Sequence, residues 1–157
     1  MQPQIRTHKG MKFIGIEVKT SNQLETNPTT AQIPKLHKKF LEEQIEEQIP
    51  NRIDSDLYFA IYTNYESDHT GTYSLILSSE VGSVKEVPAE MVAINIPTAQ
   101  YLVFTADGNT PQALSRTWKD IGAYFSKNPE RQRTYTTDFE VYDKSFPDQV
   151  DVYIAVK

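Results

Sequence analysis

The feature that most limits what this chain can become is an order of elements that occurs twice: strand, helix, strand, strand. In the first pass, Met11 to Thr20 alternates as a strand, with Phe13 and Glu17 on one side and Ile14, Ile16 and Val18 on the other. Successive side chains of a pleated ribbon leave opposite faces, so such alternation marks a half-buried strand. Ile5 in the preceding segment either starts that strand or pairs beside it. Ser21 to Thr30 is polar, and Asn27-Pro28 signals a turn or a helix entry. A helix is expected from about Gln32 to about Gln48, because Pro34 fits only a first turn and Leu36, Phe40, Leu41, Ile45 and Ile49 form an apolar stripe. Its lysines (Lys35, Lys38, Lys39) come early and its glutamates (Glu42, Glu43, Glu46, Glu47) late, against the helix dipole, so tertiary packing must hold it. The pairs Lys38/Glu42 and Lys39/Glu43 return only about 0.2–0.5 kcal/mol each, and the charge run reads as a solvated face. Pro50 ends the helix. Leu57 to Tyr62 is an aromatic and branched strand, Tyr65 to Gly71 a polar hairpin loop, and Thr72 to Val81 the returning strand.

Gly82 to Ala89 links to the second pass. Met91 to Ile96 and Gln100 to Ala106 read as strands separated by Pro97, with Asp107-Gly108 as the turn after them. Thr110-Pro111 is an N-cap followed by proline at the first helical position, where its missing N–H costs nothing. Leu114, Trp118, Ile121 and Phe125 make a helical stripe that ends at Asn128-Pro129. Tyr135 to Tyr142 and Val150 to Val156 supply a closing pair of strands.

The passes also share local detail. Phe59-Ala60-Ile61-Tyr62 can be laid over Phe139-Glu140-Val141-Tyr142, and Leu36-His37 over Thr117-Trp118. The expected fold is therefore α+β, with duplicated strand-helix-strand-strand units related by pseudo-twofold symmetry. Antiparallel sheets would carry one main helix per half around a central groove. Residues 1–157 then form a single domain, with halves of about 1–82 and 88–157. Under the overlay Glu140 meets Ala60, which would leave an acid on one wall of the groove only.

Composition narrows the function classes. With 157 residues the chain has length for one domain with a sizeable core. A formal net charge of -5 and a pI near 5.2 argue against nucleic-acid binding, which needs a concentrated Lys/Arg surface, and leave room for cationic partners. Cysteine is absent, so no disulfide framework or thiolate metal site exists. His8, His37 and His69 lack ligand-like spacing, so no metal site is expected. No apolar run is long enough to span a membrane, and a cytoplasmic protein without membrane contact is the expectation. Phosphate-cradling glycine loops, nucleophile elbows and cysteine nucleophiles are missing, and no cofactor is expected.

The stretch Tyr135 to Asp143 concentrates what remains. Phe139 and Val141 face one way, while Asp138, Glu140 and Tyr142 face the other. That second face suits solvent, or a cavity that prefers a positively charged, partly apolar guest. Two carboxylates two residues apart could also serve acid/base work, although such spacing is common without chemistry.

Three runs in order, Ile96-Pro97-Thr98-Ala99-Gln100-Tyr101-Leu102-Val103-Phe104-Thr105-Ala106-Asp107-Gly108, Trp118-Lys119-Asp120-Ile121 and Asp138-Phe139-Glu140-Val141-Tyr142-Asp143, resemble the GyrI-like family. That family includes the effector-binding domains of some AraC-type and MerR-type regulators. The resemblance spans essentially the whole chain and implies a central cavity for bulky, often cationic aromatic molecules. The glutamate of the family's Phe-Glu-x-Tyr motif, here Glu140, reaches into that cavity, and Trp118 matches the helix tryptophan. His37 departs from the tryptophan common in the first helix, and Ser78 from a frequent glycine. No basic helix-turn-helix pair is present, so the chain reads as a stand-alone sensor, sequestering protein or partner of a regulator.

The ligand-binding candidates are Glu140, Trp118, Tyr142, Tyr58, Tyr62, Tyr101 and Phe104, with Glu140 as counter-charge to a lipophilic cation. Each has a plainer role in strand or core packing. The resemblance also implies two alternatives. One is hydrolysis of cyclopropane-bearing DNA-alkylating compounds, with Glu140 as general base and Tyr142 or Tyr101 as hydrogen-bond donor. The other is an interaction protein that binds DNA gyrase or a regulator.

Overall fold

A computed structural model describes residues 3–157. Its strands are β1 (Gln4–His8), β2 (Met11–Ser21), β3 (Leu57–Thr63), β4 (Thr72–Glu80), β5 (Val92–Ile96), β6 (Ala99–Ala106), β7 (Thr137–Asp143) and β8 (Val150–Ala155). They form one continuous antiparallel sheet in the order β1-β6-β8-β7-β3-β4-β2-β5. The helices are α1 (Asn22–Glu25), α2 (Ile33–Glu42), α3 (Ile45–Gln48) and α4 (Pro111–Lys127). None is long and apolar enough to cross a membrane.

The strand order reads as a palindrome. β6-β8-β7 of the second half mirrors β3-β4-β2 of the first, and the halves meet where β3 pairs with β7. In that register Ala60 stands opposite Glu140, with Phe59 opposite Val141 and Ile61 opposite Phe139. The sequence overlay equates Ala60 with Glu140, so the equivalent residues of the two halves are cross-strand neighbours and the pseudo-twofold passes between them. They do not stand on facing walls of a groove. The outermost strands are exchanged: Ile5 pairs with Leu102 of β6 instead of extending β2, while β5 pairs with β2.

Both helical units cover one face of the sheet. Leu36, Phe40 and Ile45 pack with Ile16, Ala60, Leu75 and Leu77 under α2 and α3. Leu114 and Ile121 pack with Leu102, Phe104, Val152 and Ile154 under α4. Among the described residues the other face has no helix, yet it is closed by its own side chains, with Phe13, Phe59, Ile61, Tyr101 and Phe139 all buried.

Helix α2 is shorter than the periodicity predicts. It stops at Glu42, Gln44 adopts a left-handed φ of 50°, and the chain restarts as α3. The break lets Ile45 and Ile49 reach the core while Leu41, which a continuous stripe would bury, remains 69% exposed. Helix α4 begins as its sequence implies: the Thr110 hydroxyl accepts the Ala113 N–H at 3.1 Å and Pro111 occupies the first turn.

Candidate functional site

Strand β7 presents two carboxylates to the helical face, about 7 Å apart along the strand. Asp138 is 0% exposed and Glu140 3%. They are satisfied in different ways. Asp138 Oδ2 accepts from Arg133 Nη2 at 2.7 Å and from the Tyr65 hydroxyl at 2.6 Å, while its Oδ1 accepts the Ala155 N–H at 2.8 Å. Glu140 Oε1 accepts from the Tyr142 hydroxyl at 2.6 Å, and Oε2 accepts from Trp118 Nε1 at 2.7 Å and the Tyr62 hydroxyl at 3.1 Å. Among the described residues, no Lys, Arg or His pairs with Glu140.

That difference sets the electrostatics. Burial pushes the Glu140 carboxyl above the ordinary carboxylate range, and the donors from Tyr142, Trp118 and Tyr62 pull it only part of the way back. Burial and then the Glu140 charge hold the Tyr62 and Tyr142 phenols well above their usual value, so both remain O–H donors. Tyr58 stacks on Tyr142 with centroids 4.7 Å apart and planes within 6°, which fixes the ring that carries the shortest of these bonds.

In front of the carboxylates lies a cavity of about 830 Å³. Trp118, Gly122 and Phe125 of α4 form one wall, Tyr62 and Tyr73 of the β3–β4 hairpin another, and Tyr135 with Arg133 the entrance to β7. Gly122 stands in the middle of α4 with open space where a side chain would project. An arc of rings runs Trp118, Tyr62, Tyr73, Tyr65, Tyr135, with successive centroids 5.1, 5.7, 6.0 and 5.6 Å apart. It begins at the ring pair bonded to Glu140 and ends where the Arg133 guanidinium lies 4.3 Å over the Tyr135 ring. Glu25 also borders the space, but its carboxylate is engaged by the backbone N–H groups of Gln32 and Ile33 at the start of α2.

Of the residues singled out from sequence, Trp118 and Tyr62 line the cavity and Glu140 lies directly behind them. Tyr142 and Tyr58 form the layer behind Glu140. Tyr101 and Phe104 are not brought to this cluster. Tyr101 is 1% exposed and packs on Phe139 and Tyr153 across the opposite face, where burial pushes its phenol up to about 12. Phe104 is wedged under α4 against Tyr124 and Phe125. Strand alternation accounts for Tyr101: it leaves β6 on the side away from the helices. Sequence reasoning passed over Tyr65, Tyr73, Tyr135 and Arg133, of which Tyr65, an aromatic residue in a polar loop, was the available signal. Among the described residues no three His, Asp or Glu side chains converge to hold a metal.

Comparison with known proteins extends this picture. A family model described as integron-associated effector binding protein matches residues 4–156. YobU of Bacillus subtilis strain 168, described only provisionally as a transcriptional regulator, is 30% identical over 161 residues, covering 96% of each chain. An integron cassette protein from the mobile metagenome of Vibrio cholerae superposes with a TM-score of 0.81 at 32% identity, over 99% of this chain and 95% of that one. SAV2435, solved bound to tetraphenylphosphonium, superposes with a TM-score of 0.78 over 100% of this chain and 94% of its own, and at 18% identity it shares the fold.

Proposed function

The chain belongs to the integron-associated effector-binding proteins, a GyrI-like family, and from that premise we propose that it binds bulky, lipophilic, cationic aromatic molecules beside Trp118 and Tyr62. Glu140 supplies the counter-charge. The observation that carries this reading is a buried carboxylate held, among the described residues, by three neutral donors and no cation, behind the aromatic wall of a cavity of about 830 Å³. That volume is within the usual range for small-molecule sites.

The geometry also selects the kind of cation. Glu140 meets the cavity through the rings of Trp118 and Tyr62, so an ammonium that needs direct hydrogen bonds to the carboxylate is poorly served. A cation whose charge is spread under aromatic groups loses nothing by the separation. Ring faces contribute about 0.5–2 kcal/mol per well-placed cation contact. Donation by Trp118 Nε1 and the Tyr62 hydroxyl to an anion makes both rings more electron-rich, which strengthens that contact. Desolvation of the carboxylate in the empty site is a cost that a cation relieves. The tetraphenylphosphonium complex of SAV2435 supports this ligand class. Binding of this kind serves sensing or sequestration, alone or with a regulator protein.

Calorimetric titration of tetraphenylphosphonium and of neutral triphenylphosphine oxide into wild type and Glu140→Gln tests the proposal. The phosphonium is expected to bind wild type at micromolar level and to lose at least about tenfold, 1.4 kcal/mol, in Glu140→Gln, while the neutral compound changes little. Equal phosphonium affinity in both proteins returns Glu140 to a purely structural role. Compounds recovered chemically altered would instead favour hydrolysis with Glu140 as base.

A further inference from the structure

We propose that Arg133 forms a second polar anchor in the same cavity, a subsite for an uncharged oxygen acceptor, so that the preferred ligands are aromatic cations carrying a carbonyl, ester or similar oxygen. This deepens the binding reading and rests on the same cavity.

Arg133 borders the cavity, and its side chain is only 10% exposed. It is fixed twice, by the bond from Nη2 to Asp138 Oδ2 and by its stacking over the Tyr135 ring. Its donors are not all used: among the described residues neither Nη1 nor Nε has an acceptor, and since Nε is sealed from solvent, Nη1 is the N–H left to meet a ligand. A guanidinium offers five N–H donors in a rigid fork, and a buried unmatched donor carries a desolvation cost. Such a group persists where something else holds the residue in place. Here Asp138 holds it, itself locked by the Tyr65 hydroxyl and the Ala155 N–H. The cationic head is thus immobilised at the end of the aromatic arc with donor capacity to spare.

Charge balance defines what fits. Asp138 already neutralises Arg133, so this end of the cavity is dipolar, without net charge, and gains little from an anion that would also face Asp138. A neutral oxygen accepts the spare N–H without bringing a charge that must be desolvated. An aromatic ketone or ester also lays its ring beside Tyr135 and Tyr65. The cavity then has two poles with separate tasks. Glu140 selects for positive charge, and Arg133 discriminates among cations of equal charge and bulk.

The test uses two near-isosteric phosphonium salts, (4-acetylphenyl)triphenylphosphonium and (4-isopropylphenyl)triphenylphosphonium, titrated into wild type, Arg133→Met and Glu140→Gln. In wild type the acetyl compound is expected to bind about tenfold tighter. In Arg133→Met the ratio of the two affinities falls to about one, whatever happens to their absolute values. In Glu140→Gln both weaken and the ratio stays. A wild-type ratio of one, or a ratio that survives in Arg133→Met, overturns the proposal, and the wild-type arm decides even if the variant fails to fold. Benzophenone and diphenylmethane, both neutral, separate this subsite from the counter-charge. If no phosphonium binds but benzophenone is preferred by wild type and not by Arg133→Met, the reading of Glu140 falls and that of Arg133 stands. No preference for benzophenone counts against Arg133 alone.

Discussion

The two halves pair along β3 and β7, and at the middle of that pairing, Ala60 opposite Glu140, they differ sharply. Equivalent positions on a shared scaffold carry opposite solutions. In the first half Ala60 is a methyl group in an apolar cluster with Leu36 and Phe40, and Tyr58 and Phe40 fill the neighbouring space with rings 5.6 Å apart. In the second half the position of Ala60 carries Glu140 and the position of Tyr58 carries Asp138, which is too short to fill that space. Tyr65 and Arg133 instead reach to Asp138, and the cavity opens beside them. The helices follow suit. Trp118 donates to Glu140, whereas its counterpart His37 is an imidazole whose pKa burial pulls down. The buried strand carboxylates Asp138 and Glu140 thus belong to the second half alone, while both halves line the cavity, the first through Tyr62, Tyr65 and Tyr73 and the second through Trp118, Phe125 and Tyr135.

The sharpest way to break this contrast is to make the halves alike. Ala60→Glu places a second carboxylate, fully buried and without donors, directly across from Glu140. Two like charges at that spacing cannot both ionise in an apolar layer, and a loss of about 3–5 kcal/mol is expected in chemical denaturation. Removing the charge instead has a smaller effect whose sign depends on pH. The folded-state pKa of Glu140 is raised, so its contribution to stability is fully present below the unfolded value of about 4.3 and is lost as pH rises through the folded value. Denaturation of wild type and Glu140→Gln between pH 4 and 8 should show the variant gaining on wild type with rising pH. The gain is about 1.4 kcal/mol for each unit by which the pKa is raised. Phosphonium affinity should rise with pH over the same window, since the cation binds the ionised form. The smallest change is at Gly122, where a side chain meets nothing. Gly122→Ala should stabilise the protein by about 0.5–1 kcal/mol, as expected within a helix. Gly122→Leu should keep that stability in thermal melts yet weaken tetraphenylphosphonium binding severalfold by filling the cavity.

Much of the architecture was legible because it depends on local periodicity. The alternation of β2, β4 and β7, the Thr110-Pro111 start of α4 and the stripe Leu114, Trp118, Ile121, Phe125 each state their own element. The misjudged places are those where a local pattern had two outcomes. The stripe through Leu41 runs on as if the helix were continuous, but the left-handed turn at Gln44 rotates the following residues, and Leu41 is left in solvent. Tyr101 and Phe104 satisfy the aromatic criterion as well as Tyr62 does. Only strand orientation and the place of α4 separate a ring that packs from one that lines a cavity.

The amino-acid sequence by itself determined the element order, its repetition, the acidic balance and the unusual Glu140 amid tyrosines, because those follow from side-chain chemistry and spacing along the chain. Tertiary structure alone decided that the repeats exchange their outer strands, that Ala60 faces Glu140, and that among the described residues Asp138 has a cation while Glu140 has none. Pairing of strands from different halves joins residues 74 to 99 positions apart, and such contacts are set by the packing of the whole sheet, which no local pattern encodes.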